Sequence, residues 1–552
     1  MIYQTTITCE GWRLRNNFTT KNFVSNSIVF EEKEIHDRLL QLDKLTHIVQ
    51  LDGRIGACHD EELLLHDKRQ TGQDSLRLLA TIPAISPVQL GDSSFQTDYG
   101  VKFNYYTGAM ANGIASEELI ISLGKKKILG SFGSGGLLKS RLEEAITKIQ
   151  KALPKGPYLF NLIHSPFEEE LERNAVDLYL QYGVRSIEAS AFMNLTSHIV
   201  RYRVAGLEMG ADKSIIIRNR IIAKVSREYV AEKFLSPPPP DIVSKLLKSG
   251  EITPLQAKLA ELVPMADDIT VEADSGGHTD NRPLISLLPT IITLRDKFQA
   301  KYRYLQEVRI GAAGGIATPM SALGAFMMGA AYIGTGSVNQ SCIEAAISPD
   351  VKQALSKCSV TDVTMAPASD MFEMGVQVQV LKQGTLFPAR AQKLYYLYRN
   401  YNSIDAIPHA EREKLEKQIF RKSLDSIWKE CVTFFQERDP EQLIRAKNDE
   451  KRKMALVFRW YLGLSSHWAI SGNQERKTDY QIWCGPAIGA FNEWVRGSTM
   501  ENVNERYVAE VAQEIMWGAS YLYRVEQLRI SGVRLPIICR AYRPGSILSV
   551  LE

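Results

Sequence analysis

The sequence contains no Cys-x-x-Cys, no His-Glu-x-x-His and no uninterrupted apolar run near the ~20 residues that a membrane helix needs. Each absence removes a class of function. The seven cysteines (Cys9, Cys58, Cys342, Cys358, Cys431, Cys484, Cys539) are scattered and odd in number. They support neither a disulfide framework nor a zinc site, and they fit a reducing cytoplasm. His59 and His66 frame an acidic stretch without the spacing of a helical metal pair, so no metal is expected. Met1-Ile2-Tyr3-Gln4-Thr5-Thr6 lacks the basic start and apolar run of a signal peptide, and a cytoplasmic location is expected. A net charge of +3, with no basic stripe interleaved with aromatics, argues against nucleic acid as a partner. A dinucleotide fingerprint is also missing: Gly130-Ser131-Phe132-Gly133-Ser134-Gly135-Gly136 has glycines at the wrong offsets.

What is present is ordinary globular composition, 45% hydrophobic and 23% charged, in 552 residues. At ~100–200 residues per domain this allows about three domains, or one large barrel with attachments. Residues 1–95 read as an α+β segment, with a hairpin over 46–56 turning at Asp52-Gly53. From residue 105 a regular alternation sets in. Strands are expected at 105–110, 127–132, 157–163, 185–189, 220–225, 268–273, 307–311 and 331–335. Helices are expected at 116–123, 139–152, 168–182, 195–205, 228–235, 255–262, 284–298 and 318–328. Count and size match an α/β fold of the (β/α)8 TIM barrel kind over 96–370; a doubly wound open sheet is the alternative. Pro237–Pro240 reads as a solvated spacer lengthening a loop on the barrel's active face. Beyond residue 370, amphipathic patterns at 411–421, 424–435, 451–462 and 508–528 predict a mainly helical C-terminal region, 371–552. Trp460, Trp468, Trp483 and Trp494 are concentrated there and are expected to pack helices on the barrel.

The most informative stretch is Asp268-Ile269-Thr270-Val271-Glu272-Ala273-Asp274-Ser275-Gly276-Gly277-His278-Thr279-Asp280-Asn281-Arg282-Pro283. An apolar strand runs into a small polar loop whose only large ionisable ring is His278. The paired glycines let a flat, bulky group approach the main chain, and the imidazole beside them is a candidate proton donor. Asp280 and Asn281 are expected to cap the helix that Pro283 starts. After the seventh strand comes Gly311-Ala312-Ala313-Gly314-Gly315-Ile316-Ala317-Thr318-Pro319, and after the eighth Gly334-Thr335-Gly336-Ser337. Loops after the last two barrel strands, with a helix N-terminus, form the phosphate site of this class of barrel. A ligand with a phosphate at one end and a flat body near the glycines and His278 describes FMN.

At this point the chain resembles a known family. The run Glu272 to Pro283, the segments 107–116, 158–166, 223–227 and 313–316, and the later segments 370–373, 458–463 and 479–486 resemble the PfaD family. These are trans-acting enoyl reductases of polyketide and polyunsaturated fatty acid synthases, within the broader nitronate monooxygenase-like flavoproteins. The resemblance spans about residues 80 to 535. It implies that Gly108, Met110 and Ala111 back the isoalloxazine ring, and that Asn161 and Lys224 bond its polar edge. Gly276 and Gly277 would lie against the cofactor, Ala313, Gly314, Gly315, Gly336 and Ser337 would hold the phosphate, and His278 would be the active-site histidine. It further implies NADPH or NADH as reductant, an acyl carrier protein as the substrate's bearer and a homodimer. A nitronate monooxygenase-type flavin oxidase and a non-catalytic synthase scaffold are the alternatives.

Overall fold

Short runs of aliphatic and β-branched residues bounded by glycine and polar turns form the strands, and amphipathic segments between them form the helices. The computed structural model describes residues 28–59, 77–165 and 168–546. Met1 to Thr6, Cys9, His66 and the last residue of the 158–166 segment lie outside the described residues. Two units are present: one comprises the described residues up to Ser86 together with Ser520–Tyr542, and the other Pro87–Ala519 with Arg543–Gly545.

In the first unit, strands Thr46–Leu51, Arg54–His59 and Arg77–Ile82 make an antiparallel sheet with Thr46–Leu51 in the centre. The hairpin turns at Asp52 and Gly53, as expected, with φ of 50° and 79°. The buried Arg524 guanidinium donates to the carbonyls of Leu39, Gln41, Leu42, Lys44 and Pro83, satisfying chain ends that no sheet or helix ladder reaches.

The second unit is built on a closed parallel barrel. Its strands, in chain order, are Tyr105–Thr107, Leu129–Phe132, Leu159–Ile163, Ser186–Ser190, Arg220–Val225, Asp268–Glu272, Arg309–Ala313 and Ile333–Thr335. Each pairs with its sequence neighbours, and strand eight closes on strand one through Ile333 opposite Tyr105. All eight strands fall where the sequence places them. Helix Ser93–Tyr99, capped by Asp92, plugs the end where the strands begin, with Phe95 stacked on Tyr332 at 4.3 Å. Behind it Tyr99, Tyr106, Leu129, Leu159 and Ile222 fill the interior. This leaves the C-terminal ends of the strands open.

Three expectations are corrected here. The helix expected at 255–262, Pro254–Ala260, is an extra one, with Pro240–Lys248, between strands five and six. Strand eight is followed instead by Ser337–Gln340 and Pro349–Ser356. The Pro237–Pro240 run is not on the active face. Its neighbours Phe234 and Ser236 bond Ala266 and Met265, just before strand six begins, at the closed end, and Pro240 opens a helix. Asp280 and Asn281 do not cap the helix Leu284–Tyr302. Its N-cap is Pro283 without a side-chain cap, because Asp280 is taken by the fork of Arg227 (2.7 and 2.7 Å) and by Ser226.

Past the barrel, strands Val363–Pro367 and Gln377–Leu381 pair antiparallel, and Gly277–His278 adds to their free edge. The chain then turns helical, with Phe387–Asn400, Leu424–Arg438 and Glu450–Ser471 around a core that includes Phe372, Phe387, Phe420, Phe458 and Tyr461. No helix among the described residues is long and apolar enough to cross a membrane.

Candidate active site

The barrel mouth opens into a cavity of about 640 Å³. Thirteen residues singled out in the sequence line it: Gly108, Met110, Ala111, Asn161, Lys224, Gly276, Gly277, His278, Ala313, Gly314, Gly315, Gly336 and Ser337. Asn161, Lys224 and Ala313 sit on strands three, five and seven, and the others in the loops after strands one, six, seven and eight, brought to one rim by the barrel's closure.

Past Thr107 one more amide reaches strand eight, and the next turns to a side chain. Gly108 N–H donates to the Thr335 carbonyl at 2.9 Å, and Ala109 N–H to Glu188 Oε2 at 2.8 Å. Glu188, fully buried in strand four, thereby fixes the first loop. Lys224, on strand five, sits between two carboxylates, 2.8 Å from Glu272 and 3.7 Å from Glu188. Burial alone would weaken its charge, but Glu272 and Glu188 outweigh it, so the ammonium titrates above its usual range. Lys224 is therefore an ion-paired cation. Asn161 commits its NH2 to the Glu188 carbonyl (3.0 Å) and Ser190 Oγ (2.9 Å), which leaves its oxygen for any ligand.

His278 is held by partners far away in sequence. Its backbone pairs with Val378 in the post-barrel sheet, and Nε2 lies 3.0 Å from Asp370 Oδ1. Gln379 reaches back to Asp274 Oδ1 (2.6 Å) and the Ser275 carbonyl (2.8 Å), fixing the start of the same loop. The ring remains about one-third exposed, toward the cavity. Burial pulls its pKa down, but the Asp370 carboxylate, by charge and hydrogen bond, and Glu272 more than offset this, so the imidazole holds its proton above the usual histidine range. Asp370 is shifted the other way: burial raises its pKa, and His278 and Arg459 pull it below the ordinary carboxylate value.

The glycines divide into two kinds. A Cβ on Gly276 would meet the Cys484 backbone at 2.7 Å, and one on Gly314 the Ala273 backbone at 2.7 Å, so these two let chain pack on chain. At Gly277, Gly315 and Gly336 a Cβ would meet nothing within 4 Å, so at these the main chain is open to a ligand. Thr318 caps the helix Pro319–Met327 in a reciprocal box with Ser321, and the Ser337 hydroxyl accepts from Gly485 N–H at 2.9 Å.

The sequence reading missed part of the wall. Glu272 and Asp370 in the wall, and Glu188 and Gln379 behind it, were not assigned roles, although an acid inside the strand Ser186–Ser190 is itself a sign of a buried partner. Trp460, Trp468 and Trp483 pack on the post-barrel helical core, whereas the sequence predicts that they pack helices on the barrel, and Trp460 and Trp483 also line the cavity.

Comparison with known proteins places this geometry. Residues 401–480 match the family described as acyl-carrier-protein S-malonyltransferase, inserted helical domain. The chain is 50% identical over 501 residues to one of the polyunsaturated fatty acid synthase polypeptides of Thraustochytrium sp., covering 89% of this chain and 33% of that one. It is 47% identical over 433 residues to the polyketide biosynthesis protein PksE of Bacillus subtilis, covering 78% and 56%. The chain thus spans about a third to a half of these relatives. Among solved structures, the enoyl reductase domain of MlnA, from the macrolactin biosynthesis cluster of Bacillus amyloliquefaciens, superposes with a TM-score of 0.76 at 40% identity, covering 80% of this chain and 100% of that one. The closed barrel, the post-barrel helices and this full-length match together establish that the chain belongs to the family of the MlnA enoyl reductase domain, the synthase-associated family its motifs resemble.

Proposed function

We propose that this chain is an FMN-dependent, NAD(P)H-driven enoyl reductase that acts in trans on α,β-unsaturated acyl thioesters borne by acyl carrier protein, in polyketide or polyunsaturated fatty acid synthesis. The observation that carries this reading is the placement of His278. It is fixed by Asp370 at 3.0 Å, over a cavity rimmed by the glycine turns after strands six, seven and eight. The synthase relatives support the class of substrate and of partner.

The residues present fit FMN. Cofactor sites run roughly 300–1,000 Å³, and the open main chain at Gly277, Gly315 and Gly336 lets both a flat ring and a phosphate reach backbone N–H groups. Ala313, Gly314, Gly315, Gly336 and Ser337 would hold the phosphate. Gly108, Met110, Ala111, Gly276 and Gly277 would back the ring, with Asn161 and Lys224 at its polar edge. Bound there, FMN supplies hydride-transfer chemistry between the nicotinamide and the enoyl double bond.

The protein's own part is to manage charge and one proton. When the β-carbon gains a hydride, negative charge builds on the thioester oxygen and α-carbon. His278, protonated through Asp370, opposes that charge and gives its proton to the α-carbon. With Nε2 committed to Asp370, Nδ1 is the nitrogen left for the substrate. Lys224 stays neutralised by Glu272 and Glu188, so it donates hydrogen bonds without competing as an acid. The test is spectroscopic. The purified chain should show flavin absorbance that bleaches with NAD(P)H and recovers on adding crotonyl thioester. A colourless chain that takes up no flavin, or a bleached one that recovers only with oxygen, overturns the reading.

A further inference from the structure

The cavity does not end at the barrel mouth. It continues as a wing between the helices Leu424–Arg438 and Glu450–Ser471, lined by Leu171, Cys431, Phe434, Phe435, Leu456 and Trp460. His278 and these residues line one cavity, and the contacts along its wall run from one to the other. Asp370 is 3.0 Å from the imidazole, Arg459 bears on Asp370, and Arg459 and Leu456 share one helix. Cys431 Sγ then lies 3.7 Å from the Leu456 carbonyl. Phe434, about half exposed, marks the place where the wing reaches the surface.

The charged groups along the wing are already matched. Arg438 meets Glu168 at 2.8 Å, Glu430 meets Lys422 at 2.6 Å and the Trp460 N–H at 3.0 Å, and Arg459 faces Glu373 at 3.5 Å. Burial, and then Arg438, push the pKa of His467 down, so it too is uncharged near neutral pH. Of the wing's cations, Arg438 is held by Glu168 and Arg459 is ion-paired with Glu373, its Nη1 making no hydrogen bond, so a nicotinamide nucleotide's diphosphate would find one spare donor there and no unpaired cation. Its walls are aliphatic and aromatic, and a hydrocarbon needs nothing else. We propose that this wing takes the acyl chain of the substrate, with the thioester at His278 and the tail running between the two helices toward Phe434. This rests on the enoyl reductase reading above and adds where chain length is sensed. Each methylene seated there should strengthen binding roughly fourfold.

The experiment compares crotonyl and dodecenoyl pantetheine thioesters on the full chain. Cys431→Phe fills the wing, while Phe434→Ser wets it at a half-exposed position. The ratio of kcat/KM for the long over the short substrate should fall at least about tenfold in Cys431→Phe and about fourfold in Phe434→Ser, with KM for NADPH within about twofold of wild type. A ratio within twofold of wild type in both variants overturns the proposal. So does a raised KM for NADPH, which would give the wing to the reductant. If the wild type reduces neither thioester, the enoyl reductase reading falls by itself. Binding of saturated dodecanoyl pantetheine, read by quenching of tryptophan fluorescence, then still decides the wing: it supports the proposal if lost in Cys431→Phe and refutes it if retained.

Discussion

At the closed end of the barrel Arg309 grips Asp268 at 2.6 and 2.9 Å and Asp98 at 2.7 Å, while Tyr99 donates to the same Asp268 at 2.6 Å. Nearby, Arg203 joins Asp267 at 2.6 Å and the Pro264 and Asn219 carbonyls. At the open end the same kinds of side chain meet more loosely. Lys224 has one close carboxylate and one at 3.7 Å, and His278 has Asp370 on one nitrogen only. The closed end uses its hydrogen-bonding capacity on itself, whereas the open end keeps some in reserve. Substitutions at the two ends should therefore register in different measurements, stability below and turnover above.

The largest effect is expected at the open end. His278→Ala should lower turnover by about 10²–10⁴-fold while flavin absorbance and thermal midpoint stay near wild type; a wild-type rate would break the comparison there. Next comes Arg309→Ala, which leaves Asp268 buried without its cation. It should cost about 3–5 kcal/mol in urea unfolding, with activity per folded molecule retained. A variant of normal stability but lost activity would invert the contrast. Asp370→Asn sharpens it further. Asp370 raises the His278 pKa, so its removal must lower it. In the mechanism proposed above the reaction needs the protonated ring, hence the alkaline limb of the kcat profile should move to lower pH, with a loss on the order of tenfold at neutral pH that shrinks in acid. An unmoved limb would reduce Asp370 to a structural contact. The smallest effect belongs to the cap of the helix after strand seven: Thr318→Ala should cost about 1 kcal/mol, measured as a shift in unfolding midpoint.

Much of this was legible in the chain. The barrel strands and the glycine turns are local features, and strand Arg220–Val225 and helices Lys139–Ala152 and Glu228–Leu235 have the bounds the pattern gives. Strand one was drawn three residues too long because its departure at Ala109 depends on Glu188, which is not close in sequence. The support of His278 was hidden for the same reason. Its hydrogen-bond partner is 92 residues downstream, and no periodicity announces an antiparallel pairing over that separation. Gly276 taught a subtler lesson. A glycine beside a ligand and a glycine beside another backbone look identical in sequence, and only the Cys484 contact tells them apart.

That distant pairing also sets an order of events during synthesis. When the eighth barrel strand leaves the ribosome, the loop bearing His278 has no edge to dock on, since Gln377–Leu381 has yet to be made. A nascent or proteolysed chain stopping before Val363 would lack both Val378 and Asp370, and with them the strand edge and the carboxylate that hold the imidazole.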